Sequence, residues 1–435
     1  MKNTLIFTFL SIRLRSVRIP RENMLMKYAK VTKEGEFKLV GDEKALYGVM
    51  MSVRLIIAGF SPRYLLGALT IALRYSLFRT QFLDDTKKER KILDYQLQQE
   101  KLFPLLSEFM AMAFTSMKLR NMVADNMERI KNSDFSHLNE THIVLAGCKS
   151  YFTSCINAGV EKCRLSCGGH GFSHYSGLPE LHQEVAANCT LEGENTVMYL
   201  QVARYLLKMF NKASKGQKVS GMVDYYKNME EFLSQKSKIT SVNELLNHEE
   251  LHKLLIRNAL HWISSTGNLI INEMGNGLSM KQIWDKKAGI VLVEAARSHT
   301  QLFAFECFYE GLGKVKDSEL KKSLGRLLSL FAVHVILERP MGVIEAEYFD
   351  VEQFKLLQKA KEMLLEEIRP DAMGFADASL FSDNTLRSAL GRYDGNVYET
   401  MFDWAQNKNS LNGKEVADGM EYIFQMKGLI PNARL

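Results

Sequence analysis

From Tyr47 onward the apolar residues of this chain recur at spacings of three and four, the repeat of an α-helix with one buried face. The pattern runs through 45–59, 62–82, 92–130, 141–165 and 195–211, and then through 223–236, 242–267, 279–313, 317–339 and 347–367. Only 7 Pro occur in 435 residues, and Pro interrupts helix interiors. The sequence therefore predicts an all-α fold built from long helices, with a kink or break at Pro104.

Two other segments divide the pattern. Residues 17–42 form the only β-like stretch, and within it 31–40 predict two short strands around a turn that contains Gly35. Residues 211–221 are polar and rich in Gly, Ser and Lys, which is typical of a linker. We therefore expect two helical bundles joined near residue 215, with a short β segment in front of them.

Composition excludes several classes of function. The 56 basic and 50 acidic residues are mixed along the chain, and no dense Lys/Arg block indicates nucleic-acid binding. The net charge of +6 is typical of a mixed surface, although it also suits an anionic ligand. The six Cys lack metal-ligand spacing, which predicts no metal site and a reducing compartment. The sequence contains no run of 18 or more apolar residues, so a membrane span is not predicted.

A glycine-rich turn, Cys167-Gly168-Gly169-His170-Gly171-Phe172, follows a predicted helix. Such a turn allows positive φ and a close approach of backbone to a ligand. The spacing is not G-x-G-x-x-G after a strand, so a Rossmann dinucleotide site is excluded. By spacing alone, a simple turn at the helix end fits equally well.

An acidic turn, Leu191-Glu192-Gly193-Glu194, precedes a helix that is predicted to begin near Asn195 or Thr196. Glu194 suits the positive end of that helix and is the expected structural acid. Glu192 has no such role. Its neighbours Leu191 and Val197 are apolar, and burial there would raise its pKa and make it a useful proton acceptor. The pattern alone is also compatible with two surface carboxylates.

Near the end of a predicted helix, Arg79 could bind a phosphate and Phe82 could stack on a ring. Arg79 could equally stabilise the carboxyl end of the helix. At the end of the chain, Ala433-Arg434-Leu435 has the small, basic, Leu pattern of a peroxisomal import signal, which a receptor reads.

Several segments together resemble the peroxisomal acyl-CoA oxidases, relatives of the acyl-CoA dehydrogenases. They are VRIPRENML (17–25), ALRYSLFRTQF (72–82), LDYQLQQEKLFPLL (93–106), CRLSCGGHGFSHYSGLPELHQE (163–184), LEGENTVMYLQVARYLLK (191–208) and LRSALGRYDGNVYETMFDWA (386–405). The similarity runs from about residue 17 to the end in family order. The second helical segment and the terminal tripeptide fit the oxidases better than the dehydrogenases.

The resemblance implies an FAD-dependent desaturation of fatty acyl-CoA to trans-2-enoyl-CoA, with oxygen reduced to hydrogen peroxide, in peroxisomal fatty acid β-oxidation. Glu192 matches the family's catalytic base. Six residues match positions that approach the FAD across a homodimer interface: Arg79, Gln81, Phe82, Gln96, Gly168 and Gly169.

The resemblance also assigns domains. Residues 1–42 are expected to be a remnant of the family's middle β-domain, 43–212 the first carboxyl-terminal helical domain with the base and FAD contacts, and 222–435 the second helical oxidase domain. We therefore expect the carboxyl-terminal portion of an oxidase, without the amino-terminal helical domain and most of the β-domain. The alternative is a non-catalytic helical subunit that dimerises with a full-length oxidase.

Overall fold

The computed structural model of the protein describes residues 13–27, 29–40, 44–132 and 134–408, and gives the backbone alone for 44–49 and 407–408. Ala433-Arg434-Leu435 and parts of the predicted first and last domains lie outside the described residues.

The described chain is all-α, as predicted, and it also contains two small hairpins. Its first helices are α1 (Lys44–Phe60), α2 (Pro62–Phe78), α3 (Gln96–Lys131), α4 (Leu138–Ser166), α5 (Gly168–Phe172), α6 (Leu178–Ala186) and α7 (Asn195–Ser214). They are followed by α8 (Met229–Ser234), α9 (Val242–Leu245), α10 (His248–Gly275), α11 (Met280–Lys286), α12 (Gly289–Gly313), α13 (Ser318–Glu338), α14 (Met341–Glu345), α15 (Val351–Ile368), α16 (Ala372–Asp377), α17 (Asp383–Leu386) and α18 (Val397–Asp403). Short 3-10 turns join several of them, at Arg21–Asn23, Ile92–Asp94, His174–Ser176, Ala187–Cys189 and Gly221–Asn228.

The predicted hairpin is present. Strands β1 (Ala29–Val31) and β2 (Phe37–Leu39) pair antiparallel, with Lys30 opposite Lys38. A second antiparallel hairpin, β3 (Thr80–Leu83) and β4 (Glu89–Lys91), was not predicted.

The prediction that one helix covers 62–82 was wrong at its end. The helix α2 stops at Phe78 because Arg79 turns to an extended backbone, with φ −68° and ψ 127°. The Asp84 carboxylate then accepts hydrogen bonds from the N–H groups of Thr86 and Lys88, which stabilises the turn between β3 and β4.

The predicted break at Pro104 is absent, because α3 runs without interruption from Gln96 to Lys131. Pro in a helix interior costs about 3 kcal/mol. The buried side chains on either side, Phe103 and Leu105 among them, offset that cost by packing in the core.

The helix α12 lies at the centre of the core. It packs against α3, α4 and α7, which precede residue 215, and against α10 and α13, which follow it. Gly311 allows the close approach to α3, since a Cβ there would lie 2.2 Å from the ring of Phe114. The helices on both sides of residue 215 therefore share one core, and the division into domains stays a prediction.

The segment predicted as a linker is packed against the helices. Residues 217–220 carry no regular structure, yet Val219 is buried. The backbone N–H of Met222 donates to the Glu140 carboxylate on α4 at 2.8 Å. The connection between the two sets of helices is thus fixed by contacts with the first set.

Two stretches of the described chain, Met50–Phe78 and Gln96–Lys131, are long and apolar enough to cross a bilayer by length and composition. Their apolar windows are 61% and 67% buried inside the protein, as core helices are. The expected absence of a membrane span therefore stays a prediction.

Candidate active site

Glu192 lies in the turn between the Ala187–Cys189 3-10 segment and α7. Its backbone is left-handed, with φ 59°, and Gly193 follows with φ 118°. A side chain other than Gly in this conformation costs free energy and persists where surrounding contacts fix it. The contacts that fix this turn come from two buried cations.

The first cation is Lys149, in the middle of α4, whose side chain is fully buried. Its ammonium donates to the carbonyl oxygens of Cys189 at 3.2 Å and Gly193 at 2.7 Å, and to the Asn195 side-chain oxygen at 2.8 Å. These acceptors match the three donors of an ammonium group. Burial lowers the pKa of Lys149 to about 8.

Lys149 was not predicted as a site residue. Its signal is a single Lys within an apolar helical run, Val144 to Tyr151, where a charged side chain is rarely buried without partners.

The second cation is Arg54 of α1, which is also buried. Its Nε donates to the backbone carbonyl of Glu192 at 3.2 Å, and its Nη1 lies 3.1 Å from Nδ1 of His142. Burial, and next the Arg54 charge, lower the pKa of His142. A neutral His142 therefore accepts from Arg54 and donates through Nε2 to Gln201 on α7, at 3.2 Å. The chain of contacts joins α1, α4 and α7 beneath the turn.

Glu194 has the structural role that the sequence predicts. It is the N-cap of α7, and its carboxylate accepts from the N–H of Val197 at 3.1 Å. Backbone hydrogen bonding from Thr196 leads the causes that lower its pKa. The two acids of the turn are thus distinct, because one caps the helix and the other does not.

Glu192 is partly exposed, and its apolar neighbours do not enclose it. Leu191 is 41% exposed and Val197 51% exposed, so the expected burial by these two residues is wrong for the described chain. Among the described residues, the backbone N–H of Glu192 has no hydrogen-bond acceptor. The turn therefore presents both a carboxylate and an N–H donor at an open surface.

The glycine-rich turn ends α4. The N–H of Cys167 bonds to the carbonyl of Arg164, and Gly168 follows with φ 60°, the left-handed geometry common after a helix end. Of the three glycines in this turn, Gly171 is the one that a larger residue could not replace, because a Cβ there would lie 2.0 Å from the Arg164 carbonyl oxygen. Gly168 and Gly169 are exposed, and a Cβ at either would meet open space.

Arg79 contacts Tyr398, a residue distant in sequence that also lies near the glycine-rich turn. Its guanidinium donates to the Tyr398 hydroxyl at 2.7 Å and to the Gln81 side-chain oxygen at 3.1 Å. The Tyr398 ring lies 6.0 Å from the ring of His170 in the glycine-rich turn. Tyr398 lies in one of the resembling segments, but nothing in the sequence singled it out.

Phe82 and Gln96 extend the same surface. Phe82 is the extra residue of a β-bulge between Gln81 and Leu83, with φ 60° and 71% exposure. The Tyr95 hydroxyl donates to the backbone carbonyl of Gln81 at 2.8 Å, which places the exposed Gln96 beside β3. The structure thus places Gln81, Phe82 and Gln96 near Arg79, and Tyr398 connects Arg79 to the glycine-rich turn, while Glu192 is positioned by other contacts.

Most of the chain is similar in sequence to known proteins. Residues 47–207 match the family described as "Acyl-CoA oxidase, C-alpha1 domain", and residues 247–427 match the family described as "Acyl-CoA oxidase". The peroxisomal acyl-coenzyme A oxidase 1 of Cavia porcellus is 36% identical over 409 residues, which are 93% of this chain and 62% of the relative. The Homo sapiens protein of the same name is 35% identical over 416 residues, 95% of this chain and 63% of the relative.

Solved structures agree. Acyl-CoA oxidase 1 of Arabidopsis thaliana superposes with a TM-score of 0.89 at 33% identity, over 95% of this chain and 62% of its own. Acyl-CoA oxidase-2 of Caenorhabditis elegans, bound with FAD, ascaroside-CoA and ATP, gives 0.86 at 31% identity, over 97% and 62%. The chain spans about three fifths of the length of these relatives. It therefore belongs to the acyl-CoA oxidase family and matches the carboxyl-terminal portion of its members.

Proposed function

We propose that this chain acts in an FAD-dependent acyl-CoA oxidase, which desaturates a fatty acyl-CoA to trans-2-enoyl-CoA and reduces oxygen to hydrogen peroxide. The family membership supports this reaction, and the turn at Glu192 supports that residue as the site of proton removal. The chain's own contribution is the base, the backbone donor beside it and one wall of the cofactor site.

Glu192 is the proposed catalytic base, which removes a proton from the α-carbon of the thioester. The observation that carries this assignment is the construction of the turn. Arg54 donates a hydrogen bond to the backbone carbonyl of Glu192, and Lys149 donates one to that of Gly193. The backbone N–H of Glu192 has no acceptor among the described residues and can donate to a ligand. That N–H would donate to the thioester carbonyl and so acidify the α-carbon. The strained backbone at Glu192 is typical of a functional position.

The exposed surface around Arg79 fits an FAD. Arg79 supplies a guanidinium for a phosphate, Gln81 and Gln96 supply amides, and Phe82 supplies an exposed ring for stacking. The open space at Gly168 and Gly169 allows backbone to approach the ligand. When bound, FAD accepts the hydride that leaves the β-carbon and passes the electrons to oxygen.

Partners and location are part of the proposal. The C. elegans relative bound with FAD and ascaroside-CoA supports an acyl-CoA thioester as substrate. The names of the mammalian relatives and Ala433-Arg434-Leu435 together support a peroxisome, reached through the import receptor. A homodimer follows from the family, since the FAD positions approach the cofactor across a dimer interface.

The test is exchange of the α-proton, which reports the base directly. Protein loaded with FAD is incubated with palmitoyl-CoA that carries deuterium at the α-carbon, and loss of the label to water is followed by mass spectrometry. Glu192→Gln should keep flavin absorbance but lose exchange, because the amide cannot accept the proton. The matched control Glu194→Gln, two residues away, should retain exchange.

Peroxide release on addition of palmitoyl-CoA separates the oxidase from the non-catalytic alternative. A yellow protein that produces peroxide supports the oxidase. A colourless, inert protein supports the alternative subunit, and retained exchange in Glu192→Gln removes Glu192 as the base.

A further inference from the structure

A cluster of three side chains joins α3 to α13, away from the turn at Glu192. Glu108 belongs to α3, and His334 and Glu338 lie one turn apart on α13. Nε2 of His334 lies 3.9 Å from a carboxylate oxygen of Glu108 and 3.9 Å from one of Glu338. One atom from each side chain lies within 4.8 Å of the others.

His334 is only 6% exposed, and its Nε2 faces the carboxylates of Glu108 and Glu338. In the part of the chain that the structure describes, Nε2 makes no hydrogen bond with either carboxylate, because 3.9 Å is too long for one. Burial lowers the pKa of His334 to about 4, so the ring is neutral near pH 7. A neutral imidazole with a free lone pair is the form that binds metal ions.

Glu108 is 4% exposed and has only weak partners. The Cys155 thiol lies 3.4 Å and the Tyr151 hydroxyl 3.5 Å from its Oε1. Burial raises the pKa of Glu108 to about 7, and the charge of Glu338 adds to the effect. A buried carboxylate is normally paired or bound to a metal, and no Lys or Arg of the described chain forms an ion pair with Glu108.

Other charges face the cluster from neighbouring helices. Lys162 on α4 favours ionised Glu108 and opposes protonation of His334. Lys361 on α15 acts on His334 in the same direction, and Glu100 on α3 acts in the opposite one. Lys361 and Glu100 form an ion pair with each other at 2.6 Å, so neither serves as the missing partner.

We propose that Glu108, His334 and Glu338 bind a divalent transition-metal ion, with Zn²⁺ as the best match to one imidazole and two carboxylates. In a tetrahedral site with bonds of about 2.1 Å, ligand atoms lie about 3.4 Å apart, so the side chains must close from their 3.9 Å separations by about 0.5 Å to hold the ion. Glu338 is half exposed, which provides an entry path and room for water as the fourth ligand. The prediction of no metal site was based on the spacing of the Cys residues. The three proposed ligands lie on two helices that are far apart in sequence, so their spacing gives no local motif.

The bound ion would connect the two sets of helices. Glu108 lies before residue 215 and the other two ligands lie after it, so the ion closes a contact between α3 and α13. A metal that binds only the folded chain raises its stability in proportion to the logarithm of metal concentration.

The experiment titrates Zn²⁺ into the full chain by isothermal calorimetry after EDTA treatment and desalting. The wild type should bind one ion at this site. Glu338→Gln should weaken that binding at least about 10-fold, because it removes an ionised ligand. Since Glu338 is half exposed, this variant keeps the core intact, as circular dichroism will show.

The matched control is Glu345→Gln. Glu345 also pairs with a histidine, His261, at 3.0 Å, and its side chain is 48% exposed against 47% for Glu338, but no third ligand is near among the described residues. It should bind Zn²⁺ as the wild type does. Absence of binding by the wild type, or equal binding by Glu338→Gln, overturns the proposal.

Discussion

The ammonium of Lys149 lies 2.7 Å from the carbonyl oxygen of Gly193, so a fully buried cation fixes the residue that follows Glu192. Arg54 fixes the carbonyl of Glu192 from the other side. Both cations donate to backbone oxygens, and no side chain of the described residues pairs with the Glu192 carboxylate. The position of the turn and the proposed proton acceptance by Glu192 therefore depend on different groups, which can be tested separately.

Lys149→Met should destabilise the protein by about 2–4 kcal/mol, because it leaves the Cys189 and Gly193 carbonyls and the Asn195 side chain without a donor. Urea unfolding measures the change. The control Lys131→Met removes an exposed lysine from α3 and should stay within about 0.5 kcal/mol. Equal effects in both variants would show that Lys149 does not hold the turn.

Gly171→Ala should destabilise the protein by about 2–4 kcal/mol, because the added Cβ collides with the Arg164 carbonyl. Gly169→Ala is the matched control, since its Cβ meets open space and its φ is not positive. Thermal unfolding should therefore distinguish two alanines placed two residues apart. Tolerance of Gly171→Ala would contradict the packing described for this turn.

His299 of α12 should make stability depend on pH. Burial lowers its pKa from 6.5 to about 3, so between these values the unfolded chain binds a proton that the native chain does not. The free energy of unfolding therefore falls as pH decreases through this range, by about 1.4 kcal/mol per pH unit from this group.

His299→Gln cannot titrate, yet its amide can still pair with the Tyr225 hydroxyl, which lies 2.9 Å from Nδ1 of the histidine. The difference in unfolding free energy between wild type and variant should change with that slope between about pH 4 and pH 6. Parallel curves for wild type and His299→Gln would refute the prediction.

Arg79→Met should weaken FAD binding about 10- to 100-fold, the loss expected for one charge-assisted bond to phosphate. Flavin fluorescence during titration of the flavin-free protein measures the affinity. Arg63→Met, at an exposed position in the first turn of α2, should have no effect on it. Unchanged affinity in Arg79→Met would place the phosphate elsewhere.

The sequence predicted the long helices well, because their apolar repeat reflects burial on one face. It failed at residues 79–91, where Phe82 continues the helical repeat although its side chain is exposed on a hairpin. Periodicity cannot distinguish an apolar residue that faces the core from one that faces solvent. The second hairpin depends instead on polar turn contacts of Asp84.

The candidate site was predictable only in part. Glu192 and Arg79 could be named from motifs, and Glu194 from its place at the positive end of a helix, although the N-cap was expected at Asn195 or Thr196 and is Glu194 itself. Lys149, Arg54 and Tyr398 could not, because their partners are brought close only by the packing of distant helices. Hydrogen bonds between residues far apart in sequence leave no local pattern.

The central place of α12 has a consequence for the order of events during synthesis. Residues 289–313 cover surfaces of α3 and α7, which leave the ribosome about 160 and about 75 residues, respectively, before the helix that buries them. At roughly 5–20 residues per second, the nascent chain exposes the α3 surface for about 8–30 seconds and the α7 surface for about 4–15 seconds. A chaperone that shields apolar helices over that interval would govern how much of this protein reaches its native state.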